Sequence, residues 1–226
     1  MHSESGTHPH GGGENHGEGR GGAIAGSPAS VGELWLDTLE RLCGRAAHEL
    51  KGALNGVAVN LEVVRSRCER PETLASAVGT YANSASDQLG IVIETAEALL
   101  ALTRSARTPV EVARVARYVH VLLAPAARSQ GKRFELSGPL DGLGATSAGA
   151  SAARLSVAAS AMAATDAWSH VVCRVAGDDG DGVLRFESRD AEPAACCIDG
   201  AIVDAAGRGG IRIQVDGSTI SITFPR

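Results

Sequence analysis

The sequence predicts an α+β protein in which a long helical hairpin forms a dimeric four-helix bundle and a mixed-sheet domain follows it. Between residues 30 and 103, apolar residues recur at spacings of three and four, which is the period of amphipathic helices. After Thr108 the pattern changes to short apolar runs separated by turn residues, which is typical of strands alternating with helices. With 226 residues, 44% of them apolar, the chain is long enough for one large or two small folded domains.

The first 29 residues are predicted to be a disordered tail, because they are rich in glycine and carry too few apolar side chains to offset the entropy of ordering. Four of the seven histidines lie in this tail, at His2, His8, His10 and His16. A flexible solubilising extension is the favoured interpretation, and adventitious binding of a divalent metal is the alternative. The two folded units are expected at residues 30–106 and 107–226.

Composition also narrows the class of protein. No run approaches the 18 or so apolar residues of a spanning helix, and the N-terminus does not resemble a signal peptide, so we expect a cytoplasmic protein without a membrane partner. A formal net charge of -5 gives no field that attracts phosphate backbones, so nucleic acid is not expected as a partner. The five cysteines have no CxxC or zinc-ligand spacing, which favours buried free thiols in a reducing compartment and no metal site.

The hairpin begins at a capping box, in which Ser30 and Glu33 are expected to bond each other's backbone N–H groups. The first helical stripe runs through Trp35, Leu39, Leu42, Ala46, Leu50, Ala53, Val57, Leu61 and Val64, and ends before Pro71. The second runs through Leu74, Val78, Tyr81, Ala85, Leu89, Val92, Ala96, Leu99 and Thr103, and ends before Pro109. A single hairpin exposes much of both stripes to water, so two copies are expected to pair as a four-helix bundle.

The second half of the chain is predicted as an α+β layer with helices on one face of a mixed sheet. Helices are expected near residues 113–127, 152–167 and 198–206. Strands are expected at residues 133–137, 171–176, 183–188, 211–215 and 219–224, with a shorter extended segment at 109–112. Turns are expected at Asp178–Gly182 and at Asp216-Gly217.

His48 is the main candidate for a functional side chain in the first helix. It is two residues from both Ala46 and Leu50, about 200° around the helix, so it points away from the buried stripe. Its neighbours one turn away on that face are Gly44 and Gly52, and each glycine costs the helix about 1 kcal/mol relative to alanine. Two glycines beside an exposed imidazole leave room for a second protein to approach it.

Three basic residues, Arg41, Arg45 and Lys51, lie on or near the same face as His48. Guanidinium and ammonium groups bind phosphoryl oxygens, so this face is suited to an imidazole that carries a phosphoryl group. An ordinary solvated histidine is the alternative interpretation for His48.

The segment Arg45-Ala46-Ala47-His48-Glu49-Leu50-Lys51-Gly52-Ala53-Leu54-Asn55 resembles the H-box of bacterial sensor histidine kinases. That box reads His-Glu-Leu-Lys/Arg followed by a polar residue, Pro, Leu and a polar residue, and here Gly52 and Ala53 replace the polar residue and the proline. The order of elements is also similar to these kinases, and the segment Gly200–Gly210 looks like their last helix and its Gly-Gly exit. The resemblance implies that the second domain is a histidine-kinase-like α/β sandwich.

The nucleotide motifs of that family are missing or displaced. The small-residue helix, Leu155–Ala167, lacks the family's Asn, and no asparagine follows Asn83. Asp178-Asp179-Gly180-Asp181-Gly182 matches Asp-x-Gly-x-Gly in letters, but it lies between two consecutive strands, where a plain turn is the favoured interpretation. Only about ten residues separate Ser188, the end of the preceding strand, from the last helix, too few for a nucleotide lid, so we expect the nucleotide site to be lost.

A phosphorylatable histidine on a dimeric bundle with a degenerate kinase-like domain resembles the bacterial histidine phosphotransferases of the ChpT kind. The resemblance implies that His48 takes a phosphoryl group from one response-regulator receiver domain and passes it to another, with Mg²⁺ brought by the receiver and no cofactor of its own. Glu49 would orient the imidazole through its ring N–H, and Arg45 and Lys51 would stabilise the transferring oxygens. Further contacts with the phosphoryl group or the receiver are implied for Arg41, Gly44, Gly52 and Asn55.

The expected partners are receiver domains, including one on a hybrid histidine kinase, and a second copy of the chain. Two alternatives remain at this stage. One is an ATP-dependent sensor histidine kinase, which the missing Asn and lid disfavour. The other is a non-catalytic scaffold that binds receivers and tolerates the loss of His48.

Overall fold

The computed structural model describes residues 29–70, 72, 74–104, 110–138, 140, 145–146, 149–176 and 182–224. The predicted tail, apart from residue 29, and nearly all of the Asp178–Gly182 turn lie outside the described residues. The helices are α1 (Val31–Cys68), α2 (Ala75–Thr103), α3 (Val112–Ser129), α4 (Ala150–Ala167) and α5 (Gly200–Arg208). The strands are β1 (Val110–Glu111), β2 (Arg133–Ser137), β3 (Ala145–Thr146), β4 (His170–Ala176), β5 (Gly182–Ser188), β6 (Arg212–Asp216) and β7 (Thr219–Phe224).

The predicted capping box is confirmed at the start of α1. The Ser30 backbone N–H donates to Glu33 Oε2 over 2.7 Å, and the Glu33 backbone N–H donates to Ser30 Oγ over 3.2 Å. The hydrogen bond from the Ser30 backbone is the main cause of a lowered pKa for the Glu33 carboxyl. The cap therefore satisfies backbone groups that the first turn of a helix leaves without partners.

The half of the hairpin that is nearer to the connection between α1 and α2 is called the upper half, and the other is the lower half. A polar contact in the upper half determines how α1 and α2 align. Asn60 Nδ2 lies 3.0 Å from the Gly56 carbonyl oxygen and 3.3 Å from both Ser84 Oγ and Gln88 Oε1. Gly56 faces the Gln88 amide so closely that a Cβ on Gly56 would overlap with it. Glycine at this position lets the two helices approach each other.

The lower half of the hairpin packs into the core of the second unit. Leu42 and Ala46 of α1, with Ala98 and Leu102 of α2, belong to the same buried cluster as residues of α3, α4 and the sheet. Because each helix of the hairpin meets α3, the two predicted units share one continuous hydrophobic core. This burial fixes the rotation of α1 about its own axis.

The predicted stripes need correction at two places. At the C-terminal end of α2 the buried residues are Ala98 and Leu102, and Thr103 is exposed, because α3 covers a neighbouring face of the helix. In the upper half of the hairpin, Leu61 and Leu89 are 52% and 46% exposed in the single chain. Among the described residues, the core that α3, α4 and the sheet form with the rest of the hairpin includes neither side chain.

The main sheet has the strand order β2-β4-β5-β7-β6, with β2 and β4 parallel and the other pairs antiparallel. Phe134, Phe186 and Ile222 are buried on the face that α3 and α4 cover. The opposite face carries the ion pair between Arg174 and Glu187. The predicted mixed sheet with helices on one face is therefore confirmed.

A small ribbon formed by β1 and β3 was not fully predicted. Val110 pairs with Thr146 and Glu111 with Ala145 in antiparallel register. The β1 side matches the expected extended segment, whereas β3 falls in a Gly/Ala/Ser-rich loop without the apolar alternation of a strand. A ladder of only two residues per strand forms because the fold brings the two segments together, so the local sequence pattern does not predict it.

Helix α4 lies at the centre of the second unit and buries 14 of its 18 residues. Its many alanines allow neighbouring elements to approach closely: a Cβ added at Gly209, after α5, would lie 2.7 Å from the Ala152 Cβ. Packing against α4 therefore requires glycine at 209, whereas Gly210 has a positive φ of 77°. Among the helices that the structure describes, none combines the length and the apolar character needed to cross a membrane.

A substitution at Leu42 tests whether the hairpin depends on the shared core for its stability. It is fully buried, so Leu42→Ala should lower the free energy of unfolding by about 2–5 kcal/mol through lost burial and a cavity. The matched control is Leu36→Ala on the same helix, where the leucine is 65% exposed and the change should stay within about 0.5 kcal/mol. Urea denaturation followed by circular dichroism measures both, and equal effects would show that the hairpin does not depend on this core.

Candidate functional site

His48 lies on α1 with its side chain exposed, as the helical spacing predicts. Within the part of the chain that the structure describes, the imidazole has no hydrogen bond, ion pair or ring contact. Ala46, two residues earlier, is buried in the shared core, so the rotation of α1 holds His48 on the outer side. Neither ring nitrogen is therefore engaged by a residue that the structure describes.

The two glycines beside His48 leave space that no other described element fills. A Cβ built on Gly44 or Gly52 would meet nothing within 4 Å outside the local helix backbone. Gly56, one turn further along α1, is different, because its space is occupied by Gln88. Gly44 and Gly52 therefore leave open surface on both sides of His48, and no described residue occupies it.

The other predicted site residues on α1 divide between two surfaces. Arg41 is exposed and lines a cleft beside α4, whereas Lys51 and Asn55 border a shallow apolar groove. The groove has a volume of about 580 Å³, and its lining is Ala47, Leu50, Lys51, Leu54 and Asn55. Glu49 is half-buried and has no hydrogen bond or ion pair among the described residues.

Arg45 is bound to a residue of the second unit. Its Nη2 atom lies 2.7 Å from Oδ1 and 2.9 Å from Oδ2 of Asp166, on the last turn of α4. The two side chains are 29% and 51% exposed. Asp166 was not predicted as a site residue, because it lies 121 positions from Arg45 and no local pattern connects them.

The end of α4 is fixed from a second side by Lys132. Its Nζ atom donates to the carbonyl oxygens of Thr165 and Asp166 over 2.7 and 2.9 Å. An ammonium group at the C-terminus of a helix satisfies carbonyls that have no partner within the helix. Asp166 is thus held at its backbone by Lys132 and at its carboxylate by Arg45.

The cleft beside α4 has a volume of about 330 Å³ and lies between α1, α4 and the start of α5. Its α4 side consists of Ala159, Met162, Ala163, Asp166 and Ala167. The hydroxyls of Ser156 and Thr165 are buried and donate to carbonyls of their own helix. Helix α4 therefore presents a mainly apolar wall, with one carboxylate, where the resemblance would require an asparagine.

Asp190 follows β5, at the place where the nucleotide motif of the resembled family was expected. Its carboxylate accepts hydrogen bonds from the Ser169 backbone N–H over 2.8 Å, from the Ser169 hydroxyl, and from the His170 backbone N–H over 3.1 Å. Hydrogen bonding by the Ser169 hydroxyl is the main cause of a lowered pKa for this carboxyl. Asp190 ties the start of β4 to the end of β5, so its oxygens are already engaged.

Metal-ligating residues are not grouped in the described residues, where no cluster of three or more His, Cys, Asp or Glu side chains is found. Cys173 lies in the core, and burial raises the pKa of its thiol to about 12. The expectation of buried thiols is wrong for Cys68 and Cys197, which are exposed, and Cys197 lines the cleft beside α4.

The solved structures that are similar to this chain include a histidine kinase. The histidine kinase AdeS of Acinetobacter baumannii superposes on 78% of this chain and 96% of that chain, with 13% sequence identity and a TM-score of 0.37. At that identity and score the similarity carries no argument about function. No protein-family model matches the sequence, and no curated protein matches it.

The two glycine environments give a direct stability test. Gly52→Ala should raise the free energy of unfolding by up to about 1 kcal/mol, because alanine favours the helix and its Cβ enters open space. Gly56→Ala is the matched control. It should not show this rise in the free energy of unfolding, because its added Cβ displaces the Gln88 amide from Asn60. Thermal melting should rank Gly52→Ala above Gly56→Ala, and the reverse order would place Gly52 in a packed environment.

Proposed function

We propose that this protein is a histidine phosphotransferase that relays a phosphoryl group between receiver domains through His48. The observation that carries the proposal is an exposed imidazole on a rigid helix, without a partner among the described residues and flanked by two glycines that the fold does not need. A solvated histidine with no role leaves Gly44 and Gly52 unexplained, since each weakens the helix.

The proposed reaction is an in-line displacement at phosphorus. An unprotonated ring nitrogen of His48 attacks the phosphoryl group of a receiver aspartyl phosphate. The new P–N bond forms as the P–O bond breaks, and the electron pair returns to the aspartate carboxylate. Glu49, the adjacent residue, is proposed to accept a hydrogen bond from the other ring N–H and stabilise the cationic ring that results. The second receiver reverses these steps, and the Mg²⁺ belongs to the receivers.

A second copy of the chain is proposed to cover the apolar face of the hairpin. On α1 this face includes Leu54 and Leu61, 51% and 52% exposed, and on α2 it includes Leu89, Ile93 and Leu100, 46%, 50% and 64% exposed. Exposed leucines and isoleucines repeating along two adjacent helices are unusual for the surface of a monomer. Pairing two such faces gives the four-helix bundle that the stripes predict, and Lys51 and Asn55 then lie at its border.

A receiver is proposed to dock on the opposite side of the hairpin, along the His48 face. Val59 is 55% exposed and lies eleven residues beyond His48, which places it about 20° from His48 around the helix. Leu61 lies about 140° from His48, on the apolar face described above. The two faces are therefore separate, so receiver binding and dimerisation are compatible.

The alternative of an ATP-dependent kinase is disfavoured by two local arrangements. The wall of α4 beside the cleft has no carboxamide, and the Asp190 oxygens are engaged by Ser169 and His170. The scaffold alternative differs from phosphotransfer at a single side chain, because a scaffold does not need the imidazole of His48.

The central test offers two phosphoryl donors separately. Radiolabelled phosphorylated receiver domains should transfer label to the wild-type protein, and Mg-ATP alone should not, because no nucleotide site is proposed. His48→Ala should abolish labelling while its melting temperature stays within about 2 °C of wild type, since an exposed side chain contributes little to stability. Labelling by Mg-ATP would favour the kinase, and full receiver binding without labelling would favour the scaffold.

Two matched substitutions on α1 separate the receiver face from the dimer face. Val59→Glu should reduce the rate of transfer from a phosphorylated receiver about tenfold and leave the dimer intact, because a buried carboxylate weakens an apolar contact with the partner. Leu61→Glu, two residues away and similarly exposed, should instead dissociate the dimer. Light scattering and transfer kinetics on both variants check the assignment, which fails if the two variants behave alike.

A further inference from the structure

Asp166 belongs to the second unit, yet it is bonded to a residue one turn from the phosphoacceptor. Arg45 precedes His48 by three positions, so their side chains are neighbours on the same helix surface, about 5–6 Å apart at Cβ. The ion pair is partly exposed, and it joins α1 to the last turn of α4. No other described residue outside the hairpin is bonded to a member of the predicted site.

The geometry of the pair leaves half of the guanidinium available. Both short distances to Asp166 involve a single nitrogen, Nη2. Nε and Nη1 have no acceptor among the described residues. A guanidinium carries five N–H donors in one plane, so the Nε and Nη1 groups remain as separate donors, each of which can bind a phosphoryl oxygen.

We propose that Asp166 is a positioning residue for phosphotransfer: it holds the Arg45 guanidinium beside His48 so that an N–H of Nε or Nη1 donates to a phosphoryl oxygen. This inference rests on the proposed function of His48. A free arginine side chain loses rotamer entropy when it is fixed, and the contact with Asp166 removes part of that loss before the phosphoryl group arrives. Lys132 contributes indirectly, because it anchors the backbone that carries Asp166.

The arrangement gives the second unit a role that does not require nucleotide. Its α4 ends at the level of Arg45, and Asp166 is on that last turn. The guanidinium has more N–H donors than one carboxylate engages, so Arg45 can donate to Asp166 and to the phosphoryl group at once. Asp166 then fixes the direction in which the remaining N–H groups point.

The test uses phosphoramidate, a small anionic phosphoryl donor, so that it does not depend on finding a receiver. The rate of His48 phosphorylation is followed by peptide mass spectrometry in wild type, Arg45→Ala, Asp166→Ala and the double variant. Arg45→Ala should slow the rate about tenfold and Asp166→Ala about threefold, as expected for loss and for loosening of a charge-assisted contact. The double variant should match Arg45→Ala alone, because Asp166 acts through Arg45.

Two further variants separate positioning from a general structural effect. Asp166→Glu should recover most of the wild-type rate, since it restores a carboxylate within reach of Arg45. Glu62→Ala removes the partner of Arg65 in another exposed ion pair on α1, with 2.6 Å between Nη2 and Oε1, and should leave the rate unchanged. Additive losses in the double variant, or an Asp166→Ala rate equal to wild type, would overturn the positioning role.

Repeating the series with a saturating phosphorylated receiver distinguishes the two proposals. Positioning predicts a lower transfer rate constant in Asp166→Ala with unchanged receiver affinity. If phosphoramidate labels His48 with the expected dependence on Asp166 but no receiver transfers to it, the positioning role stands and the relay function fails. If receivers transfer normally to Asp166→Ala and Arg45→Ala, the relay stands and the positioning role fails.

Discussion

The burial of Leu42 and Ala46 against α3, α4 and the end of α2 is the constraint on which the site depends. A long helix packed only on its partner can rotate and slide, because leucine-rich faces tolerate several registers. Here the lower half of α1 enters a core that also contains sheet residues such as Phe186. That core fixes which side of α1 faces outward, and His48 is on that side.

The small side chains of α4 make this core possible and also limit what α4 can do. Alanine and glycine let α1, α3, α5 and the sheet approach one helix from several sides, as the close contact of Ala152 with Gly209 shows. A helix covered in this way has little surface left for a ligand. The hydroxyls of Ser156 and Thr165 donate to carbonyls of α4 itself, while Asp166, at the last turn, is one of the few polar side chains that reach the surface.

Charged side chains at the ends of helices and strands also connect the two halves of the chain. Lys132 closes the C-terminus of α4, Asp190 gathers the N–H groups at the start of β4, and Asp166 reaches across to Arg45. Exposed ion pairs contribute only about 0–1 kcal/mol each to stability. The main effect proposed for the Arg45–Asp166 pair is therefore to orient the Arg45 guanidinium, and its contribution to the stability of the fold is small. It determines where a guanidinium points next to an exposed imidazole.

The sequence by itself determined the features that depend on near neighbours in the chain. The Ser30 and Glu33 cap, the helix spacing that exposes His48, and the strands at residues 133–137 and 219–224 follow from local periodicity and turn chemistry. Tertiary structure alone decided the burial of Ala98 in place of Thr103, the pairing of β3 with β1, and the contact of Arg45 with Asp166. The physical reason is that these outcomes depend on how distant elements pack, and a one-dimensional pattern specifies which face of a helix is apolar but not which neighbour covers it.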